Sequence, residues 1–454
     1  MGISSIGIGS GLKVSDIIAQ MVALEKKPLD GLQTKQDSIQ TKLSTYAQIK
    51  SLTSTLNDAA SKLTRDSGWN GMNAASSSSA VSVSVTGIAG KGVFDIGVSQ
   101  LSQAQTSVSA ARAIDQKMGE KGIFKLTQGE KSVGIEYTAD DTLTTLAAKI
   151  NDQASGVSAT LLRDASGKEQ LMIRSKETGV SAGFSIAWDE EGDTKAPADM
   201  SFSVTKPAQN SKISINGVEQ QSATDTFADI LPGIKITVNQ VTTADARVSM
   251  TPDTEGMKKN VQAFVDAYNA LNTLLSQSTA YDSESKAAGV LQADSATISL
   301  QNSMRNVTRG MASNASGSLK LLADIGLQTQ SDGSLTISDS AKLDKALSTN
   351  PAGLKSLFAA SASSDGSGGG IATTMKKYTD QLLGYDGALN SKTDSLEKQK
   401  KANLSDQSKV NNRAAVLEKR MTAQYTTLDT KMASLSALST YMEQQVAAWN
   451  KSTS

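Results

Sequence analysis

The strongest pattern in the sequence is an apolar row near the C-terminus that repeats every seven residues. Its members are Ala414, Met421, Leu428, Leu435, Met442 and Trp449. No proline or glycine follows residue 389, and a helix over 391–449 would run roughly 90 Å at about 1.5 Å per residue. A seven-residue row stays on one side of a helix only where another helix covers it. The pattern therefore predicts a long C-terminal helix that needs a partner.

A matching pattern near the N-terminus supplies a candidate partner. One row of seven is formed by Leu32, Ile39 and Tyr46, inside a helix predicted over 32–63. An amphipathic segment with Ile17 on its apolar face comes before it, and Pro28 and Gly31 separate the two segments. We predict that the terminal helices pair as a coiled-coil stalk or leg.

Between the helical ends the apolar period changes to two, which is typical of half-buried strands. Val81, Val83 and Val85 alternate with serine, and Asn216-Gly217 marks a hairpin. One helix, predicted over 142–150 with Asp141 as its N-cap, interrupts the strands.

Helices return from Gly256 onwards. Asn350-Pro351 predicts a helix start, with asparagine as the cap and proline at the first helical position. The fold class predicted is α+β, with long terminal helices, a helical middle domain and two small β-rich head subdomains.

The expected domains follow the changes of period along the chain. They are a flexible N-terminal segment and leg (1–40), a helical stalk domain (41–77 with 256–390), a β-rich head subdomain (78–107 with 207–255), an inserted β-rich head subdomain (108–206) and a C-terminal coiled-coil leg (391–454).

Composition excludes most catalytic chemistry. The chain has no histidine and no cysteine, which removes imidazole bases and ligands, thiol catalysis and disulfides. The best remaining candidate for a metal or an acid pair is the cluster of Asp189, Glu190, Glu191 and Asp193, for which a solvated turn is the favoured interpretation. We therefore predict no catalytic residue, no cofactor and no metal.

Charge and hydropathy limit the partners further. The ends are mildly basic, too weakly to predict nucleic-acid binding, and no span reaches the roughly 20 apolar residues that cross a bilayer. The glycine-rich residues 7–11 have no strand before them, so nucleotide binding is not predicted. The N-terminus lacks the pattern of a secretory signal peptide, and secretion would require another route.

Two classes of function fit these features. The first is an assembly protein whose helical ends pack with copies of itself or with a helical polymer. The alternative is a stalked extracellular adhesin or carbohydrate-active module. The absence of histidine and an aromatic content of only 4% favour assembly, because catalytic and sugar-binding pockets use such residues.

Several separated motifs, in order, resemble one family. The quoted motifs are Gly7-Ile-Gly-Ser-Gly-Leu12, Glu25-Lys-Lys-Pro-Leu29, Phe264-Val-Asp-Ala-Tyr-Asn-Ala-Leu271 and Asn350-Pro351 with Leu357-Phe358. This arrangement, over nearly the whole chain, is similar to the family of bacterial flagellar filament-capping proteins (hook-associated protein 2, FliD).

The resemblance implies a structural, non-enzymatic cap at the distal end of the flagellar filament, which retains exported flagellin and promotes its folding and insertion. It implies secretion through the flagellar export apparatus, hook-filament junction proteins as neighbours and an export chaperone at the C-terminal region. Some family members are reported to contribute to adhesion. It also implies a ring of about five copies, although a helix period cannot count the subunits of a closed ring.

Together the rows and the resemblance predict which residues make leg contacts. They are Ile17, Leu32, Ile39, Tyr46, Met421, Leu428, Leu435, Met442 and Trp449.

Overall fold

The computed structural model describes residues 13–189, 196–284 and 286–452, with side chains described up to residue 448. The chain divides into two compact units. The helical unit comprises Met1–Arg65 with Lys258–Ser454, and the β-rich unit comprises Asp66–Met257. The finer division into five segments stays a prediction.

The helices are given in chain order. They are α1 (Val14–Lys26), α2 (Pro28–Thr64), α3 (Leu143–Gln153), α4 (Thr254–Thr279), α5 (Ser295–Arg309), α6 (Ser340–Thr349), α7 (Pro351–Ala359), α8 (Ile371–Leu383) and α9 (Ala388–Ser452).

The strands are short, and all of their pairings are antiparallel. They are β1 (Met72–Ser76), β2 (Val81–Val85), β3 (Gly92–Gln100), β4 (Thr106–Ser109), β5 (Gly122–Gln128), β6 (Lys131–Tyr137), β7 (Val157–Arg163), β8 (Glu169–Ser175), β9 (Phe184–Asp189), β10 (Phe202–Lys206), β11 (Ser211–Ile215), β12 (Val218–Ser222), β13 (Thr226–Leu231), β14 (Ile234–Val238), β15 (Ala246–Pro252), β16 (Tyr281–Asp282), β17 (Ala287–Ala288), β18 (Leu327–Thr329) and β19 (Leu335–Ile337).

The long terminal helices are confirmed, with one change at the start of α2. Pro28 occupies the first turn of α2, where its missing N–H leaves no hydrogen bond unmade. Gly31 consequently lies inside the helix rather than before it. At the other end of the chain, α9 runs without interruption over 65 residues.

Elsewhere in the helical unit, α4 and α7 are in contact through two aromatic side chains. Phe264 of α4 and Phe358 of α7 are fully buried and meet edge to face, with ring centroids 6.2 Å apart. The predicted start of α7 is confirmed, because the Asn350 side chain accepts a hydrogen bond from the Gly353 N–H and Pro351 follows at the first helical position.

The β-rich unit contains two hydrophobic clusters. The first lies between the sheet β1-β15-β3-β11-β12 and the sheet β13-β14-β2, and includes Ile96 and Ile236. The second is formed by α3 with the sheets β10-β4-β8-β7 and β6-β5-β9, and includes Phe124 and Ile150. Each cluster is formed largely by every second residue along its strands, the residues that face inward, as the period of two predicts.

The predicted hairpin at Asn216-Gly217 is confirmed. β11 and β12 pair in register from Ser211 opposite Ser222 to Ile215 opposite Val218. Asn216 and Gly217 have φ angles of 48° and 85°, and these positive values form the two-residue turn that matches the twist of the strands.

The predicted N-cap of α3 is wrong by one residue. Thr142, not Asp141, accepts the hydrogen bond from the Thr145 N–H, and the Thr145 hydroxyl accepts one from the Thr142 N–H. The Asp141 carboxylate instead accepts from the Thr138 N–H and pairs with Lys149, each at 2.7 Å. The Asp141 carboxylate therefore stabilises the turn that begins at Thr138, and it does not cap the N-terminus of α3.

Replacing Thr142 with alanine is expected to lower the free energy of unfolding by about 1 kcal/mol, since it removes the cap and leaves an N–H of the first turn unpaired. Urea unfolding followed by the fluorescence of Trp188, a residue of the same hydrophobic cluster, measures the change. The conservative replacement Thr142→Ser should recover the stability, and equal stability for the alanine variant would contradict the cap assignment.

Candidate assembly surface on the terminal helices

Helix α9 runs antiparallel to α2 and α1, and three polar contacts establish the alignment. Lys50 Nζ donates to Asn390 Oδ1 at 2.8 Å, and Asn403 Nδ2 donates to the Leu32 carbonyl at 2.9 Å. Further along, Arg413 Nε lies 3.2 Å from a carboxylate oxygen of Glu25. Residues further along α9 contact residues nearer the N-terminus of the chain. The first half of α9 is therefore lined by α2 and then by α1.

The paired part of α9 buries one regular row. Its fully buried members are Leu389, Leu396, Asn403, Val410 and Ala414, of which the first four are seven residues apart. On α2 the buried side chains include Ile39, Leu43, Tyr46 and Ile49. The row predicted from the sequence starts at Ala414, four residues after Val410, so the buried row that ends at Val410 occupies a neighbouring position of the seven-residue repeat.

Tyr46 connects this pair of helices to the rest of the helical unit. Its hydroxyl donates to Asp294 Oδ1 at 2.7 Å, the Thr297 N–H donates to the same oxygen at 3.0 Å, and Lys392 Nζ lies 3.0 Å from Asp294 Oδ2. The carboxylate thus joins α2, α5 and α9 at one point. Sequence reasoning missed Asp294 because it lies 248 residues from Tyr46.

The environment of Asp294 favours its charged form. Burial by itself would raise the pKa of this carboxyl, but the hydrogen bonds from the Thr297 N–H and the Tyr46 hydroxyl, together with Lys392, lower it to about 2. For Tyr46, burial is the main cause of a raised pKa, and the neighbouring Asp294 charge acts in the same direction. Both groups therefore hold fixed protonation states at neutral pH.

Beyond Met421 the apolar row of α9 continues but is exposed. Leu428, Leu435 and Met442 are 41%, 58% and 56% accessible, and no described residue covers them. Apolar side chains beside this row are also exposed: Met432, Leu438, Tyr441 and Val446. The stretch 422–452 is helical and would span roughly 45 Å at about 1.5 Å per residue. A continuous apolar strip of this kind marks an interaction surface.

A second exposed apolar patch lies where α1 meets α9. Leu24 is 70% accessible and Val416 is 67% accessible, on either side of the Glu25 and Arg413 pair. A groove of about 370 Å³ lined by Arg420 and Leu417, among others, runs beside them. The seven-residue pattern did not single out Val416, since it lies outside the row that starts at Ala414.

The predicted leg residues fall into three groups. Ile39 and Tyr46 are buried within the helical unit, whereas Ile17, Leu32 and Met421 are half-buried along the helix pair. Leu428, Leu435 and Met442 are exposed. Trp449 belongs to α9, but its side chain lies outside the described residues. Of the predicted leg residues, those left exposed to a partner therefore belong to the distal row, and the role of these residues in assembly stays a prediction.

The other candidate sites fall largely outside the described residues. Asp189 ends β9, whereas Glu190, Glu191 and Asp193 are not described, and neither are the glycine-rich residues 7–11. Among the described residues, no group of three or more acidic side chains is placed to hold a metal ion. Within the same residues, no helix combines the length and apolar character needed to cross a bilayer.

Comparisons with known proteins cover most of the chain. Residues 10–105 match the N-terminal region and residues 208–437 the C-terminal region of flagellar hook-associated protein 2, and residues 124–177 match the flagellin hook IN motif. Flagellar hook-associated protein 2 of Escherichia coli K12 is 31% identical over 464 residues, covering 98% of each chain. The B-type flagellar hook-associated protein 2 of Pseudomonas aeruginosa is 30% identical over 93% of each chain.

A solved structure agrees with these sequence matches. The crystal structure of the D1-D2-D3 domains of the flagellar cap protein FliD from Escherichia coli is 28% identical and superposes with a TM-score of 0.60. The match covers 78% of this chain and 99% of that chain.

Proposed function

The chain belongs to the flagellar hook-associated protein 2 family, and from this membership we propose that it forms the structural cap at the distal end of the bacterial flagellar filament. In this role it retains exported flagellin and promotes its folding and insertion at the growing tip, and so supports motility. The observation that carries the proposal is the exposed apolar row on the distal half of α9, represented by Leu428, Leu435 and Met442.

The distal half of α9 would act as a leg that docks against helices at the filament end. Burying one leucine or methionine side chain stabilises a contact by about 1.5–3 kcal/mol. A row of three such residues therefore gives less than about 10 kcal/mol, from which the cost of ordering and immobilising the leg is subtracted. Binding of this strength holds the leg in place but remains reversible, which suits a cap that must move to a new position as each subunit adds. The β-rich unit would supply the plate that keeps flagellin under the cap.

The proposed partners follow from the same surface. Other copies of this chain would complete the cap as a ring of about five subunits, closed by head-to-tail contacts between two different surfaces, and flagellin would contact this ring. Hook-filament junction proteins would receive the first ring. An export chaperone at the C-terminal region would cover the apolar row of α9 before secretion through the flagellar export apparatus, because an uncovered row of this kind promotes aggregation.

We expect no catalytic activity. The chain offers no imidazole or thiol, and the relatives named above are hook-associated proteins. These facts favour the cap over a stalked adhesin or carbohydrate-active module.

Deleting this chain in its host tests the proposal. We expect short or absent filaments by electron microscopy and flagellin lost to the medium by immunoblot, with both restored when the wild-type chain is supplied from a plasmid. Filaments of normal length with no excess flagellin in the medium would overturn the cap assignment.

A further inference from the structure

The buried row of α9 contains a polar member. Leu389, Leu396, Asn403 and Val410 are spaced by seven residues, and Asn403 is only 2% accessible. Within the described part of α9, it is the one polar side chain that is fully buried. An asparagine buried in an otherwise apolar row lowers the stability of the helix pair, so its presence points to a role other than stabilisation.

The hydrogen bonds of Asn403 satisfy half of its amide. Its Nδ2 group donates to the Leu32 carbonyl at 2.9 Å and to Gln36 Oε1 at 3.0 Å. Its Oδ1 atom is buried and has no hydrogen-bond partner among the described residues. The Leu32 carbonyl lies inside α2, where the helix already provides it with a donor. Burial therefore removes the hydrogen bonds of the Asn403 amide to water, and the protein replaces only those of its Nδ2 group.

The seam around Asn403 is polar over two turns. Lys400 and Gln407 lie three residues before and four residues after it, on the same side of α9, and both are half-buried. Toward the start of α9 the seam is closed by Leu396 and Leu389, and toward its end by Val410. The pair of helices thus consists of an apolar base, a polar middle and an apolar distal part.

We propose that Asn403 fixes the register of α9 against α2 and marks the point at which the distal part of the pair opens while its base stays closed. A regular seven-residue row pairs almost equally well when shifted by one repeat. A shift by seven would put Leu29 or Leu43 in place of Gln36, so only the observed register supplies a side-chain acceptor to Asn403. The same residue lowers the stability of the pair locally. Its use as the release point of the leg rests on the proposed capping function.

Hydrogen exchange of the full-length chain tests the inference. In Asn403→Leu, amides of α1 and of residues 397–417 are expected to exchange about tenfold more slowly, which corresponds to about 1.4 kcal/mol and is within the cost of one unpaired buried polar group. Amides of 388–396 should exchange as in the wild type. Circular dichroism at 222 nm checks that the helix content is unchanged.

A composition-matched variant locates the opening point. Leu396→Asn combined with Asn403→Leu moves the asparagine one repeat toward the base, and the boundary between slow and fast exchange should move by seven residues in the same direction. A boundary that stays in place, or faster exchange of 397–417 in Asn403→Leu, would overturn the inference. These measurements use the purified chain, so they stand apart from the deletion experiment, whose failure would refute capping and leave the result on the opening point intact.

Discussion

Replacing both Leu435 and Met442 with aspartate is expected to abolish filament capping and leave the chain folded. Both side chains are more than half exposed, so the substitutions remove little buried surface within the helical unit. Docking would lose the burial of two apolar side chains, at least about 3 kcal/mol, which weakens binding by a factor above about 100. Carboxylates buried without a partner add a further penalty. A host carrying this variant should grow few filaments and lose flagellin to the medium, while the purified chain keeps its wild-type circular dichroism.

Residues on the opposite face of the same helix provide the matched control. Ala433 and Thr440 are also exposed and seven residues apart, but each lies two positions before a member of the row, about 200° around the helix. Ala433→Asp with Thr440→Asp adds the same charge at the same spacing, and filaments should remain normal. If Leu435→Asp with Met442→Asp also allowed normal filaments, the distal row would not be the docking surface. If both pairs abolished growth, charge rather than the apolar face would be responsible.

Those parts of the fold that depend on local patterns could be predicted from the sequence. The long terminal helices follow from rows of seven without internal proline, the hairpin follows from Asn216-Gly217, and the start of α7 follows from Asn350-Pro351. In each case the residues that determine the structure lie within a few positions of one another. Because such signals depend only on neighbouring residues, they can be recognised before any tertiary contact is known.

Features that depend on distant contacts could not be predicted. The spacing of α9 residues does not reveal which half of the helix α2 and α1 cover, because both halves carry the same period. Asp294 is an ordinary polar residue until Tyr46 and Lys392 reach it from either end of the chain. Asn403 is polar, so a search for apolar spacing does not select it. Only the structure shows that this polar residue occupies a buried position in the repeat.

The division of α9 into a covered and an uncovered half connects the fold to the proposed function. One sequence period continues through both halves, but among the described residues the row is covered only as far as Met421, which is half-buried, and it is exposed from Leu428 onward. The half that remains uncovered presents the same kind of apolar row that α2 covers in the first half. A helix from another chain can therefore pack on the distal half in the manner in which α2 packs on the proximal half.

Removing the Asp294 carboxylate is expected to cause a large loss of stability in the helical unit. Asp294→Ala deprives the Tyr46 hydroxyl, the Thr297 N–H and the Lys392 ammonium of their shared acceptor. Losing a helix cap and a charged hydrogen-bond acceptor together costs about 3 kcal/mol. Thermal unfolding followed at 222 nm, where the helices dominate the signal, should show a lower midpoint. Asp394→Ala, at an exposed position of α9, serves as the control and should unfold as the wild type.

The pH dependence separates the charge of Asp294 from its geometry. Its pKa is about 2 in the folded chain against an ordinary value of 3.8, so its charge contributes about 2 kcal/mol above pH 4. Because the folded-state pKa is the lower one, this contribution is present at neutral pH and is lost as the pH falls toward 2. Asp294→Asn keeps an acceptor for Tyr46 and Thr297 but has no charge, so its stability should be lower at pH 7 and should approach that of the wild type near pH 2. An equal stability difference between the two chains at pH 7 and at pH 2 would show that the carboxylate acts through shape alone, and Lys392 would then have no electrostatic part in holding α9 to α5.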